Sequence, residues 1–174
     1  GDIEFVLIGH VPASYLLTHS VLTKWSGSRW FRTHSRLMAA GIAAGVAPYL
    51  DMAYFYLVDH GQYLHHGYWT HIPLFWAVAI GCWLGIGLFL RRSTMTGLGL
   101  IAGLNVFLHL ALDTVTGNIR WLYPLSRRGF ALVHVHAVHK WWVWNFVLHW
   151  TFALEIALLI AAVYVWDRQR RRVT

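Results

Sequence analysis

His109-Leu-Ala-Leu-Asp113 is the sharpest chemical signal in the chain. A spacing of four on a helix stacks imidazole and carboxylate on one face, within reach of a common ion. The same pair can also satisfy itself as a histidine bonded to its helix neighbour, so the spacing alone leaves both readings open. More ionisable residues lie in or beside long apolar runs: His10, Asp51 within Pro48-Tyr49-Leu50-Asp51, and His66 and His71 on either side of Gly67-Tyr68-Trp69-Thr70. Burying such groups in apolar surroundings is costly unless a cation, a donor or a counter-charge meets them. His66 and His71 are five apart and cannot share a face of one continuous helix, so one of them reaches over from a loop. Thr70 is a candidate N-cap for a helix with Pro73 in its first turn. The single cysteine, Cys82, sits inside an apolar run and excludes both an intramolecular disulfide framework and a Cys-based zinc site. A metal here is held by nitrogen and oxygen, which suits zinc, manganese or iron and leans to zinc where histidine dominates.

The elements that must position these residues follow from composition. The chain has 174 residues, 57% of them apolar and 12% charged, with a mean hydropathy of +0.48. Soluble domains carry roughly a quarter charged residues, so an integral membrane protein is expected, and its 11 Trp suit helix ends among lipid headgroups. The fold class is all-α: one domain over residues 1–174, a bundle of about five transmembrane helices. The spans read as Ile3 to Leu22, Arg36 to Val58, Ile72 to Leu90, Thr96 to Val115 and Trp142 to Trp166, each about the twenty residues that cross 30 Å of hydrocarbon. Pro12 is expected to kink the first, and the second could break near Pro48. Between helices four and five, residues 116–141 mix Arg120, Arg127, Arg128, His134, His136, His139 and Lys140 with aromatics, the composition of an interfacial loop. Residues 167–174 form a basic tail.

Lys24, Arg29, Arg32, Arg36, Arg91, Arg92 and the four tail arginines fall on one side of such a bundle. The other side holds only Arg120, Arg127, Arg128 and Lys140. The positive-inside rule then places the N-terminus outside and the C-terminus in the cytoplasm. His10, Asp51, His66, His71, His109 and Asp113 all land on the outer side, although none of them entered the topology argument. No basic stretch precedes the first apolar run, where the charges are Asp2 and Glu4, so no cleavable signal peptide is expected. The excess of 14 Lys+Arg over 7 Asp+Glu is explained by topology and anionic lipid, and no nucleic-acid partner is expected. Gly41/Gly45, Gly81/Gly85 and Gly99/Gly103 are small-xxx-small pairs that favour a tight bundle and could equally join copies of the chain. No internal repeat is visible, which weighs against an inverted-repeat transporter.

Pro48-Tyr49-Leu50-Asp51, then His66-Gly67-Tyr68-Trp69-Thr70-His71, then His109 to Asp113 running on to Gly117, and finally Trp121-Leu-Tyr-Pro124-Leu-Ser126 together resemble the YdjM-type family of inner-membrane proteins regarded as metal-dependent hydrolases. That family shows an early His, a Pro-Asp-x-Asp, an HxxxTH-like segment ending in Ser, and an HxxxD followed by a Trp-Pro-Phe-Ser-like segment. The early His corresponds to His10 or His34, of which His10 lies on the outer side. Two positions depart from the pattern. Tyr49 stands at the first Asp of Pro-Asp-x-Asp and Ile72 where Ser is frequent, which implies fewer ligands, a lower site charge, or one ion where relatives hold two. The resemblance implies a multi-pass protein of a bacterial or archaeal cytoplasmic (inner) membrane.

From residues and resemblance together, Asp51, His71, His109 and Asp113 are the expected metal ligands, with His10 and His66 as further ligands or as base and orienting groups. One or two divalent ions, zinc favoured over manganese or iron, would activate water against a phosphoester, and Arg127 or Arg128 could hold the phosphate. The expected function is hydrolysis of a phospholipid or lipid-linked phosphate ester, the headgroup entering from the membrane surface while its tails stay in the bilayer. A non-catalytic metal-binding or metal-transport protein is the alternative. A haem protein would need axial histidines at one depth, which His10, His109 and His149 might supply, but the adjacent carboxylates argue against it.

Overall fold

A computed structural model describes residues 8–58, 68–133, 138 and 140–173. Helix α1 (His10–Lys24) begins where its sequence turns polar, and Pro12 lies in its first turn, where a missing N–H costs nothing. The expected kink is thus replaced by a helix start. A 3₁₀ turn at Arg29–Phe31, capped by the Ser28 side chain accepting from the Trp30 N–H, leads into α2 (His34–Val46). Pro48 ends α2: it supplies no N–H, and its ring obstructs the preceding turn. The chain tightens into a 3₁₀ turn at Ala47–Tyr49 and restarts as α3 (Leu50–Leu57). The second expected span is therefore two helices joined at the proline.

Another 3₁₀ turn, Trp69–His71, precedes α4 (Pro73–Phe89). Ile72 between them is extended (φ −96°, ψ 112°), as a residue before proline tends to be. Thr70 does not cap α4, because its hydroxyl is engaged elsewhere. Helix α5 (Ser93–Thr116) follows a short turn. The segment after it folds back: Ile119 and Phe130 pair in an antiparallel bridge, and the N–H groups of Leu132 and Val133 donate to the carbonyls of Thr114 and Val115. The expected interfacial loop is thus anchored to the end of α5 over this stretch. The fifth expected span is divided too, into α6 (Trp142–Val147) and α7 (Thr151–Val173). Helix α7 carries the expected tail as helix, since Arg and Gln are good helix formers and Asp167 pairs with Arg171 one turn on, at 2.8 Å.

Helix α5 is the centre of the packing, with α2 and α4 as its main neighbours, while α1 lies against α2 and α7. Glycines make this possible. A Cβ on Gly41 or Gly45 would collide with Thr18 or Ser14 of α1, and one on Gly99 or Gly103 would come within 2.6–2.9 Å of Trp83 or Ile80 of α4. Gly81 and Gly85 meet nothing within 4 Å among the described residues, so that pair takes no part in the packing of those residues, contrary to the expectation that all three pairs tighten one bundle. Val21, Leu22, Phe31, Leu37 and Ile101 form a compact apolar core at one end. Only α5 is both long and apolar enough to cross a membrane by itself among the described residues; α4 is apolar and 17 residues long. Five uninterrupted spans are therefore not what the helices show.

Candidate metal centre

At the opposite end from that core, α1, α5 and the 3₁₀ turn Trp69–His71 bring His10, His71, His109 and Asp113 together, each no more than 1% exposed. The Asp113 carboxylate is the hub. His109 Nε2 lies 2.9 Å from its Oδ2 and His71 Nε2 3.3 Å from the same oxygen, while His10 Nε2 lies 3.2 Å from Oδ1. Helix α5 supplies His109 and Asp113 from one face, as their spacing requires.

The other nitrogen of each ring is held from behind. Gly45 sits in the last turn of α2, where carbonyls lose intrahelical donors, and His109 Nδ1 donates to its carbonyl at 2.6 Å. His71 Nδ1 donates to Asp51 Oδ2 at 2.7 Å. A second bond from the Thr70 hydroxyl fixes that carboxylate, and the Trp76 indole N–H pins the turn by donating to the Thr70 carbonyl at 2.6 Å. His10 Nδ1 meets the Tyr49 hydroxyl at 3.1 Å; a phenol can donate or accept, so His10 can present either form of Nε2. Helix α7 steadies the start of α1, because the N–H groups of Ile8 and Gly9 donate to Glu155 Oε2 at 2.9 and 3.2 Å.

The tautomers follow from these partners. A carbonyl and a carboxylate can only accept, so His109 and His71 carry their hydrogen on Nδ1 and, when neutral, turn an Nε2 lone pair towards Asp113. Buried lone pairs facing a carboxylate at 2.9–3.3 Å need a proton or a cation between them. At His71, just outside α4, burial pushes the imidazole down, but the Asp113 and Asp51 carboxylates draw it up further, to about 9. Ligand atoms spaced in this way suit a metal ion equally well, since bonds of about 2.0–2.1 Å in a tetrahedron separate neighbouring donors by about 3.3 Å. One ligand atom from each of His10, His109 and Asp113 lies within 4.8 Å of the other two, so this buried group could hold a metal ion.

Of the residues singled out from sequence, His109, Asp113, His71 and His10 meet here. Asp51 reaches the cluster through His71 and not directly. His66, His134, His136 and His139 lie outside the described residues. Arg127 and Arg128 are exposed on the returning limb after α5, with Arg128 over the Phe130 ring, and neither joins the cluster among the described residues. His149 turns to the Thr151 hydroxyl at 2.9 Å. Tyr49 and the Gly45 carbonyl were not anticipated. The first has a signal, since it occupies a carboxylate position of the family pattern; a backbone carbonyl has none.

No significant match was found among curated proteins, and none among solved structures. The family profile described as YdjM inner membrane protein does match, over residues 6–173. With nearly its whole length matched, the chain belongs to the YdjM inner membrane protein family and is a membrane protein.

Proposed function

We propose that the protein is a membrane-embedded, metal-dependent hydrolase of a lipid or lipid-linked phosphate ester. The observation that carries this reading is the convergence of three imidazole Nε2 atoms on Asp113 with each Nδ1 already engaged. Partners behind the ring, conventional for metal-binding histidines, fix its orientation and raise its basicity. His10, His109 and Asp113 would hold the ion, and zinc suits two imidazoles and a carboxylate. The chemistry such an ion supplies when bound is activation of water near neutral pH and polarisation of a phosphoryl oxygen. His71, held by Asp51, stands beside this group as proton acceptor. An orientation with the N-terminus outside, which the placement of the basic residues supports, would put the centre at the outer membrane surface, where a headgroup can approach while its acyl chains stay in lipid.

The transport alternative needs a polar route from the centre to the other side. Ser14, Thr18 and Asn105 do continue the stripe below His10 and His109, with Asn105 Nδ2 donating to Thr18 at 2.9 Å. That stripe ends on Leu22, Leu37 and Ile101, all fully buried, which favours a centre that works in place.

The test is metal content by mass spectrometry of detergent-purified protein after mild chelator washing, combined with release of phosphate or headgroup from defined lipids. Wild type should carry near-stoichiometric zinc or manganese, which Asp113→Ala and His109→Ala should lose. His71→Gln should keep the ion while activity falls about 10²–10⁴-fold. Wild type that neither holds nor takes up an ion would end the reading.

A further inference from the structure

A second site lies at the other end of α5. The turn after α1, the end of α4 and the start of α5 enclose a cavity of about 370 Å³, within the size range of about 300–1,000 Å³ usual for small-ligand sites. Its walls include Arg29, Trp30, Gly87, Arg91, Ser93 and Thr96. From Thr96 to His109 is thirteen residues of helix, so the cavity is about 20 Å from the metal centre along the axis.

Three features give it a chemical preference. Two arginines, Arg29 and Arg91, line one concavity, and no carboxylate residue does among the described residues. Asp51, Asp113 and Glu155 are committed at the far end of the molecule, and Asp167 pairs with Arg171. The turns bearing the two arginines are firmly fixed. Trp30's carbonyl packs against Gly97 of α5 in a contact that a Cβ would forbid, and Phe31 beside it is in the core. On the other wall the N–H groups of Arg91 and Arg92 close the end of α4 on the carbonyls of Leu88 and Gly87, at 3.0 and 2.8 Å. Finally, Arg91 has a φ of 50°, a left-handed conformation that glycine takes freely and an L side chain does not. An arginine at such a position, lining a cavity that a second arginine also lines, points to use of its charge.

We propose that this cavity binds a phosphate group, held between the guanidinium groups of Arg29 and Arg91 with the Ser93 hydroxyl in the wall. Guanidinium forks match phosphate oxygens geometrically as well as electrostatically. The phosphate can belong to an anionic lipid headgroup or to a soluble phosphate, and Trp30 in the wall suits the headgroup level of a membrane. The site is independent of the hydrolase reading, since it needs neither the ion nor any residue of the metal centre.

Calorimetric titration of the full chain in neutral detergent tests it, with three probes: inorganic phosphate, short-chain phosphatidylglycerol, and the corresponding diacylglycerol without the phosphate. Saturable binding of phosphatidylglycerol but not diacylglycerol is expected, at least tenfold weaker in Arg29→Gln/Arg91→Gln and unchanged in Arg171→Gln. Binding of inorganic phosphate with the same dependence on the two arginines would support the site and assign it a soluble ligand. Arg91→Gly guards against loss through misfolding: relieving the left-handed backbone should raise the thermal midpoint without ligand while binding still weakens. The proposal falls if neither phosphate probe binds saturably, if diacylglycerol binds as well as phosphatidylglycerol, or if the arginine variants bind like wild type.

Discussion

Asp51, expected as a metal ligand, meets the cluster through His71. Its carboxylate stands behind His71, where it fixes which imidazole nitrogen keeps the hydrogen. That arrangement has a measurable consequence. Without an ion, the His71 imidazole, drawn up to about 9, is charged at pH 7.5, and a cation placed beside Nε2 must expel its proton. Zinc binding to chelator-treated protein should therefore release about one proton from His71, read by calorimetry in two buffers of different ionisation enthalpy. Asp51→Asn should reduce that release while the ion stays bound, since His10, His109 and Asp113 would hold it. The sign for stability is fixed too. A pKa raised on folding stabilises the ion-free protein fully below about pH 6.5, and that contribution is lost as pH rises through about 9. Zinc release of no protons would separate His71 from the ion. His109 and Asp113 were legible because helical spacing makes them neighbours; the roles of Asp51 and Tyr49 were not, because ring orientation is set by contacts across the fold.

Elements that are unbroken apolar runs were easy to read. Helix α4 spans Pro73–Phe89 against an expected Ile72 to Leu90, and α5 spans Ser93–Thr116 against Thr96 to Val115. The fifth span was read as whole because hydropathy does not register a short interruption, whereas Pro48 marked the second as a span that could break, as it does. In the second, the break has a structural consequence: with α2 ended at Val46, before Pro48, the Gly45 carbonyl accepts from His109. The glycine pairs differ in the same way, since a motif reports only that helices could approach. Gly45→Ala should force α1 and α2 apart, because the new methyl would sit 2.8 Å from the Ser14 Cβ, costing about 1–3 kcal/mol and loosening the His109 support. Gly81→Ala should be neutral or stabilising by up to about 1 kcal/mol, as helix propensity alone would apply. Thermal unfolding and zinc retention of the two variants would check this; equal destabilisation would mean that the outward face of α4 is packed after all.

At the scale of the whole molecule, polar and apolar groups are distributed in a way that only a lipid environment accommodates. Leu74, Val78, Ile86 and Phe89 of α4 and Ile160, Val163 and Tyr164 of α7 are 45–86% and 53–63% exposed, whereas His10, Asp51, His71, His109, Asp113 and Glu155 are interior. A protein in water would pay for both choices. The membrane family assignment removes the conflict, because hydrocarbon covers the first set and the bundle shields the second. Orientation then decides what each end can meet. In the proposed orientation the cationic loops would put α1's end, the α4–α5 turn and the end of α7 on the cytoplasmic side, with the candidate metal centre and the segment after α5 outside. In a Cys82→Ser background, Leu125→Cys, 94% exposed on that segment, should react with a membrane-impermeant maleimide in right-side-out spheroplasts. Arg172→Cys on the exposed end of α7 should react only after lysis. The reverse pattern would turn the molecule over, bringing the metal centre to cytoplasmic substrates and the arginine cavity to the outer leaflet. Labelling of both sites before lysis would dismantle the five-span arrangement altogether, since an odd number of crossings must separate the two ends.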